Sequence, residues 1–284
     1  MNQLYEAVGI SKQAVHKHTN NQTIYDCRIS DLIVRADMLR KEHPGCGVEK
    51  MYNKLKPDFI GRDRFIKTFM SMGYGVKRKR NYRRTTIASL IYRPNLIKGI
   101  VVDAPSVIWQ SDITYIPVGD KHYYVVFIID VYTKEIVGYA VSNHMRATAN
   151  IIALKMALKG RKSPQYHHSD RGSQYISKAY VSLLENASIK VSMGKTAQEN
   201  AYAERINRTI KEEYLDYWWI RSFGQLRMAV HRAVKNYNAI RIHNNLGRKS
   251  PLEFVDYWNK IKPEERPKFT IFDDKLSVKS VNLI

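Results

Sequence analysis

Trp109-Gln110-Ser111-Asp112-Ile113-Thr114-Tyr115-Ile116 alternates polar and apolar side chains, the pattern of a strand with one face buried. Just downstream, Tyr123-Tyr124-Val125-Val126-Phe127-Ile128-Ile129 is apolar throughout, as a central strand covered on both faces must be. Working outward, strands are predicted over 109–117, 122–131 and 135–142. A helix over 147–159 follows, with Ile151, Ile152, Leu154, Ala157 and Leu158 on its apolar face. Next come a strand over 165–169, a helix over 178–187 and the short strand Ile189-Lys190-Val191-Ser192-Met193. Helices are predicted around Asn200–Lys211, over 223–238 and over 251–260, the last opened by Ser250 as N-cap with Pro251 behind it. Three successive strands followed by alternating helices and strands predict an α/β fold.

Within that frame three acids stand in complementary places. Asp112 is on the first strand, Asp170 closes Gln165-Tyr166-His167-His168-Ser169-Asp170 before the loop signal Arg171-Gly172-Ser173, and Glu204 lies inside the Asn200–Lys211 helix. Carboxylates from two strand ends and a helix can converge on a pair of divalent cations. Phosphodiester chemistry needs an activated oxygen nucleophile and a stabilised leaving oxygen, and two Mg²⁺ ions roughly 3.5–4 Å apart supply both. Magnesium prefers hard oxygen ligands and keeps several waters, so a few carboxylates suffice. Asp112 is expected to bridge the two ions, with Asp170 and Glu204 each holding one, and Mn²⁺ is expected to substitute. Taken singly, each acid could equally be a strand-end charge, a turn former or an exposed helix charge. Asp130, ending the second strand, reads as a cap.

The chain of 284 residues carries 47 lysines and arginines against 26 acids, a formal charge of +21. That excess favours a polyanionic partner, with double-stranded DNA the expected one. Hydrophobic residues at 44% allow a full core and exclude wholesale disorder. No stretch approaches the roughly 20 apolar residues of a bilayer span, and the start lacks the order of a signal peptide. Cys27 and Cys46 give no disulfide framework. Their spacing, with His16, His18 and His43, does not suit a zinc module. A cytoplasmic, nucleoid-associated protein is expected.

Four domains are expected: an amino-terminal helical, helix-turn-helix DNA-binding region over 1–73, a basic linker over 74–104, a catalytic core over 105–220 and a helical extension over 221–284. In the first, Ser11 offers an N-cap for a short helix, a second runs from Ile29 to Glu42, and His43-Pro44-Gly45 breaks it. Helices over 47–55 and 61–70 then form a helix-turn-helix pair whose second member carries Arg62, Arg64 and Lys67 for DNA. Between Tyr74 and Gly99 there are eight basic residues and no acids. Of these, Lys77, Arg78, Lys79, Arg80, Arg83 and Arg84 are expected to follow a phosphate backbone, although a solvated connector would share the composition. On the Glu204 helix, Arg208 and Lys211 share the face of Glu204, with Asn207 beside them. All three are expected to contact DNA. His167 and His168 could approach a scissile phosphate, but strand-end histidines are more often packed. Trp218, Trp219 and Trp258 read as core or subunit contacts rather than base-stacking groups.

These motifs, with Glu199-Asn200-Ala201-Tyr202-Ala203-Glu204 and the late run Tyr237-Asn238, Arg241, His243, Leu246-Gly247 and Ser250-Pro251-Leu252-Glu253-Phe254, resemble the larger subunit, OrfB, of insertion-sequence-three family transposases. These are members of the retroviral-integrase-like DDE superfamily. The resemblance covers about residues 43–258. It implies a ribonuclease-H-like integrase core with a five-stranded mixed sheet flanked by helices, an all-α amino-terminal region and carboxy-terminal helices. It also implies strand cleavage, transfer of the freed 3′-hydroxyl, a homo-oligomer on DNA, and a possible OrfA partner or fusion. Asp170 and Glu204 are separated by 33 residues, slightly fewer than the family's usual spacing, with the shortening placed at Met193–Gln198. Glu199 is a second candidate for the third carboxylate, while Asn207 and Lys211 point to Glu204. A domesticated DNA-binding regulator with an idle site, or a ribonuclease-H-like nuclease, are the alternatives.

Overall fold

The computed structural model describes residues 9, 11–76 and 93–272. The chain divides into two compact units, with the boundary between Val76 and Lys77.

The amino-terminal unit has three helices, α1 (Lys12–Glu42), α2 (Val48–Leu55) and α3 (Arg62–Ser71). Where two helices were expected before His43, one helix of 31 residues runs through. Nothing between Lys17 and Arg28 is glycine or proline, so no residue interrupts the ladder. The Thr19 and Thr23 hydroxyls donate to carbonyls one turn back, of Val15 and Thr19, at 3.0 Å each. Ser11 is the N-cap, accepting from the Ala14 amide at 3.1 Å. Ile29, Leu32 and Ala36 pack on Met51, Ile60, Phe65 and Phe69. Phe65 stacks on Phe69 at 4.1 Å between centroids, and Tyr52 meets Phe65 edge-on at 5.4 Å.

The second unit is built on a five-stranded sheet of β2 (Ile108–Val118), β3 (Lys121–Asp130), β4 (Ile136–Ser142), β5 (Tyr166–Ser169) and β6 (Lys190–Met193). The spatial order is β4-β3-β2-β5-β6, with β3 antiparallel to β2 and β4, and β5 parallel to β2 and β6. This is the five-stranded, ribonuclease-H-like arrangement that the family resemblance implied. The β2–β3 hairpin closes on Val118 opposite Lys121, and its two-residue turn places Gly119 at φ +58°, which a side chain would resist.

One face of the sheet, with Ile116, Val118, Val125, Phe127 and Ile129, is covered by α6 (Ala201–Glu213) and α7 (Phe223–Ala239). The opposite face, with Trp109, Val126, Ile128, Val137 and Ala140, is covered by α4 (Ala147–Leu158) and α5 (Lys178–Asn186). The alternation along β3 thus buries both of its faces. At Gly138 a Cβ would lie 2.2 Å from the Ala153 carbonyl oxygen, so only glycine lets α4 come so close to β4. A small ladder of β1 (Val101–Val102) and β7 (Phe269–Thr270), not foreseen from the sequence, packs with α8 (Pro251–Lys260) through Ile97, Val102 and Phe254. No described helix is long and apolar enough to cross a membrane.

Candidate active site

Strand register brings the first two acids together. β2 and β5 run parallel with Ser111 opposite Ser169, so Asp112, midway along β2, stands beside Asp170, the residue that follows the last position of β5. Asp112 lies on the same side of β2 as Ile116 and Val118, the side that α6 covers. Gly172 donates its amide to Asp170 Oδ1 at 3.0 Å, tying the carboxylate to its own turn.

The helix with the third acid is clamped onto β2 at the residues just before Asp112. Asn200 donates through Nδ2 to the Ser111 carbonyl at 3.0 Å, and the Tyr202 amide donates to Gln110 Oε1 at 3.2 Å. Ser111 Oγ and the Tyr175 hydroxyl share a hydrogen bond of 2.9 Å from the other side. Glu204 then falls in the first turn of α6, exposed, with Ala203, Ile206 and Ile210 buried behind it. One turn on, Asn207 donates through Nδ2 to Asp112 Oδ2 at 2.7 Å.

The charges of Asp170 and Glu204 both act on Asp112. Burial pushes the Asp112 carboxyl up to about 8, and the negative charges of Asp170 and then Glu204 add to the rise. The amide of Ile113 and the Asn207 side chain oppose it. Burial also raises Asp170, against the Gly172 amide. Lys211 is held below its ordinary value by burial, and the charges of Asp216 and Asp112 both act on it in the other direction. It therefore lies near enough to Asp112 to feel its charge. Among the described residues no three His, Cys, Asp or Glu side chains are gathered tightly enough to hold a metal ion.

One expected DNA contact is placed differently from the sequence reading. Asn207 is buried against Asp112 and is not available to phosphate, because the apolar face of α6 turns it inward. Lys211 is half-buried near Asp112. Arg208 is exposed. In the amino-terminal unit Arg62 bonds Asp63 at 3.0 Å and approaches Glu49 at 3.9 Å. Arg64 lies 4.8 Å over the Tyr25 ring, and Lys67 is exposed. Lys77, Arg78, Lys79, Arg80, Arg83 and Arg84 lie outside the described residues.

The remaining candidates resolve into structural roles. Glu199 accepts from the Lys195 amide and faces Asn95 and His168, so it closes the 194–199 turn. His167 bonds the Tyr180 hydroxyl at 2.9 Å and His168 bonds Ser192 Oγ at 2.8 Å. Burial lowers them to about 3 and about 4, so both stay neutral. Asp130 caps its strand end, accepting from the amides of Ser106, Tyr132 and Thr133 and from Trp109 Nε1. Gln110, Asn200 and Tyr175 were missed as site-building residues. An amide side chain at a helix start three to four residues before an acid was the available signal.

Comparison with known proteins supplies the family. Two profiles described as Integrase core domain match residues 102–198 and 186–251. The transposase for insertion sequence element IS629 of Shigella sonnei is 31% identical over 276 residues, covering 89% of this chain and 93% of that protein. The chain belongs to the insertion-sequence transposases of the DDE superfamily. As a DNA transposase it is a polynucleotidyl transferase. Transposase InsF for insertion sequence IS3A of Escherichia coli is 31% identical over 155 residues, 53% of this transposase and 54% of InsF. Among solved structures, the HTLV-2 integrase catalytic core domain in complex with magnesium is 20% identical with a TM-score of 0.46, covering 53% of this transposase and 96% of that chain.

Proposed function

We propose that this transposase performs magnesium-dependent strand cleavage followed by 3′-hydroxyl strand transfer at Asp112, Asp170 and Glu204. The observation that carries the reading is the strand register that sets Asp112 beside Asp170 under a helix whose Glu204 acts on Asp112. The residues fit a divalent cation on two counts. The donor set is made of hard carboxylate oxygens; burial raises Asp112 most, and the repulsion of Asp170 and Glu204 that adds to it is relieved by positive charge between them. Asn207 Oδ1, an acceptor beside Asp112, is buried with no hydrogen-bond donor.

Asp112, Asp170 and Glu204 would hold the divalent cation. Bound there, Mg²⁺ would supply Lewis acidity and a lowered pKa for water. The chain's own groups set the rest. Asn207 holds the Asp112 carboxylate in one orientation, and the Asn200 and Tyr202 bonds fix the height of the helix over the strand. Lys211, near Asp112, offers a cation to a phosphate brought to the acids. In the first step water oxygen bonds to phosphorus and the 3′-oxygen leaves. In the second that 3′-hydroxyl attacks another phosphodiester and the target's 3′-oxygen leaves, so one bond is made for each one broken. No protein–DNA covalent intermediate is needed.

The amino-terminal helices and the basic linker are the parts that would recognise element ends as duplex DNA, with a homo-oligomer joining two ends, an OrfA partner or fusion assisting, and the nucleoid as the place of action. The test compares Glu204→Gln with Glu199→Gln on DNA carrying the element's ends, in Mg²⁺ and in Mn²⁺. Glu204→Gln should abolish joining while Glu199→Gln retains it; the reverse result overturns the assignment. A preference of the wild type for RNA–DNA hybrid cleavage would instead mark a ribonuclease.

A further inference from the structure

The segment that follows α6 sets two adjacent tryptophans to opposite tasks. Trp218 is half-buried, packed on Tyr214 at 6.0 Å between centroids, with the Arg232 guanidinium 5.1 Å over its ring. Trp219, the next residue, is 80% exposed, and the Arg221 guanidinium lies 5.0 Å from its ring centroid. An exposed apolar side chain by itself is ordinary. A tryptophan held out by an anchored neighbour and layered by an arginine is a stacking surface with a cation behind it.

Its surroundings match one kind of occupant. Two residues past Arg221, Phe223 stacks on Tyr123 at 5.0 Å, and these rings with Lys121, His122 and Asn143 line an open cavity of about 390 Å³. That volume lies in the range of roughly 300–1,000 Å³ found for small-ligand clefts. Its polar lining offers a cation and neutral donors and no acid. The segment follows directly on α6, the helix that carries Glu204.

We propose that Trp219 and Arg221, with the cleft at the β2–β3 hairpin tip, bind an unpaired nucleotide of a DNA strand that leads to the carboxylates. The base stacks on the exposed face of Trp219, and its phosphate is met by Arg221 and Lys121. This replaces the expectation that Trp219 serves core or subunit contacts. It rests on the chain's activity as a DNA transposase, and duplex binding tests that activity separately.

The experiment measures binding of the full chain to a short oligothymidylate and to a duplex of equal length, by fluorescence anisotropy, for wild type, Trp219→Ala, Trp219→Phe and Arg221→Ala. Loss of one stacked base predicts about 5- to 150-fold weaker oligothymidylate binding for Trp219→Ala. Duplex affinity should hold and Trp219→Phe should keep most of the binding. Quenching of tryptophan emission by the oligothymidylate should fall with Trp219 although Trp109, Trp218 and Trp258 remain. Because Trp219 is exposed, thermal unfolding checks that the variant folds as wild type. Equal oligothymidylate affinity in Trp219→Ala and wild type overturns the platform. So does a change in sedimenting mass without a change in that affinity, which would assign Trp219 to a second copy of the chain. A wild type that binds duplex but no single strand overturns the platform alone, and one that binds neither overturns the platform and DNA binding together.

Discussion

The two compact units bury different kinds of side chain. Among the described residues, the amino-terminal unit buries aliphatic and aromatic groups with one polar residue, His43. The second unit buries Gln110, Ser111, Asp130, His167, His168, Asn200 and Asn207, several of them around the strand that carries Asp112. Some polar atoms there, Asn200 Oδ1 and Asn207 Oδ1 among them, have no hydrogen-bond partner. Each such atom costs stability. An interior shaped for stability can be apolar throughout, whereas one that must hold carboxylates in a fixed relation accepts polar groups beneath them.

The largest effect that separates the units is on chemistry. Asp112→Asn should lower strand transfer by about 10³-fold or more, since several kcal/mol of charge stabilisation is removed, with duplex binding intact. Retained Mg²⁺-dependent strand transfer by this variant would break the contrast at its root. Phe65→Ala, in the apolar interior, should cost the amino-terminal unit about 3–5 kcal/mol. Denaturant unfolding followed by proteolysis of that unit measures it, and a loss under 1 kcal/mol would show that the Phe65–Phe69 stack is not the centre of that core. Asn207→Ala should reduce joining by about 10- to 100-fold, as expected for a group that orients a ligand. Its metal dependence should shift to higher Mg²⁺, which a merely structural role leaves unmoved.

The smallest effect is in pH. Asp112 titrates near 8 when folded against 3.8 ordinarily, so the native state holds an extra proton between these values. More protons bound in the native state means that stability falls as pH rises through that window. Asp112→Asn should therefore raise stability near pH 8 in the absence of metal. Near pH 4 the two proteins should melt alike, and a difference of equal size at both pH values would show that charge is not its cause.

Much of the second unit was legible before any coordinates. The strand limits over 109–142 shifted by only a residue in the structure, because β3 had to be apolar on both faces and β2 on one. The single long α1 was not legible, since its first half has no fully buried residue and so shows no apolar periodicity to join it to the second. The inward turn of Asn207 was missed for a related reason: a polar residue between apolar ones reads as a surface position until the opposing side chain is known.

The residue order alone placed Asp112 on a strand, Asp170 at a strand-end turn and Glu204 on a helix, because local periodicity depends on near neighbours. Only the tertiary structure decided that Asn207 serves Asp112, that Glu199 closes a turn, and that Trp219 stands in solvent beside its anchored neighbour. Those outcomes depend on which side chain faces which across residues far apart in the chain, and the pattern within any one segment carries no record of its partner.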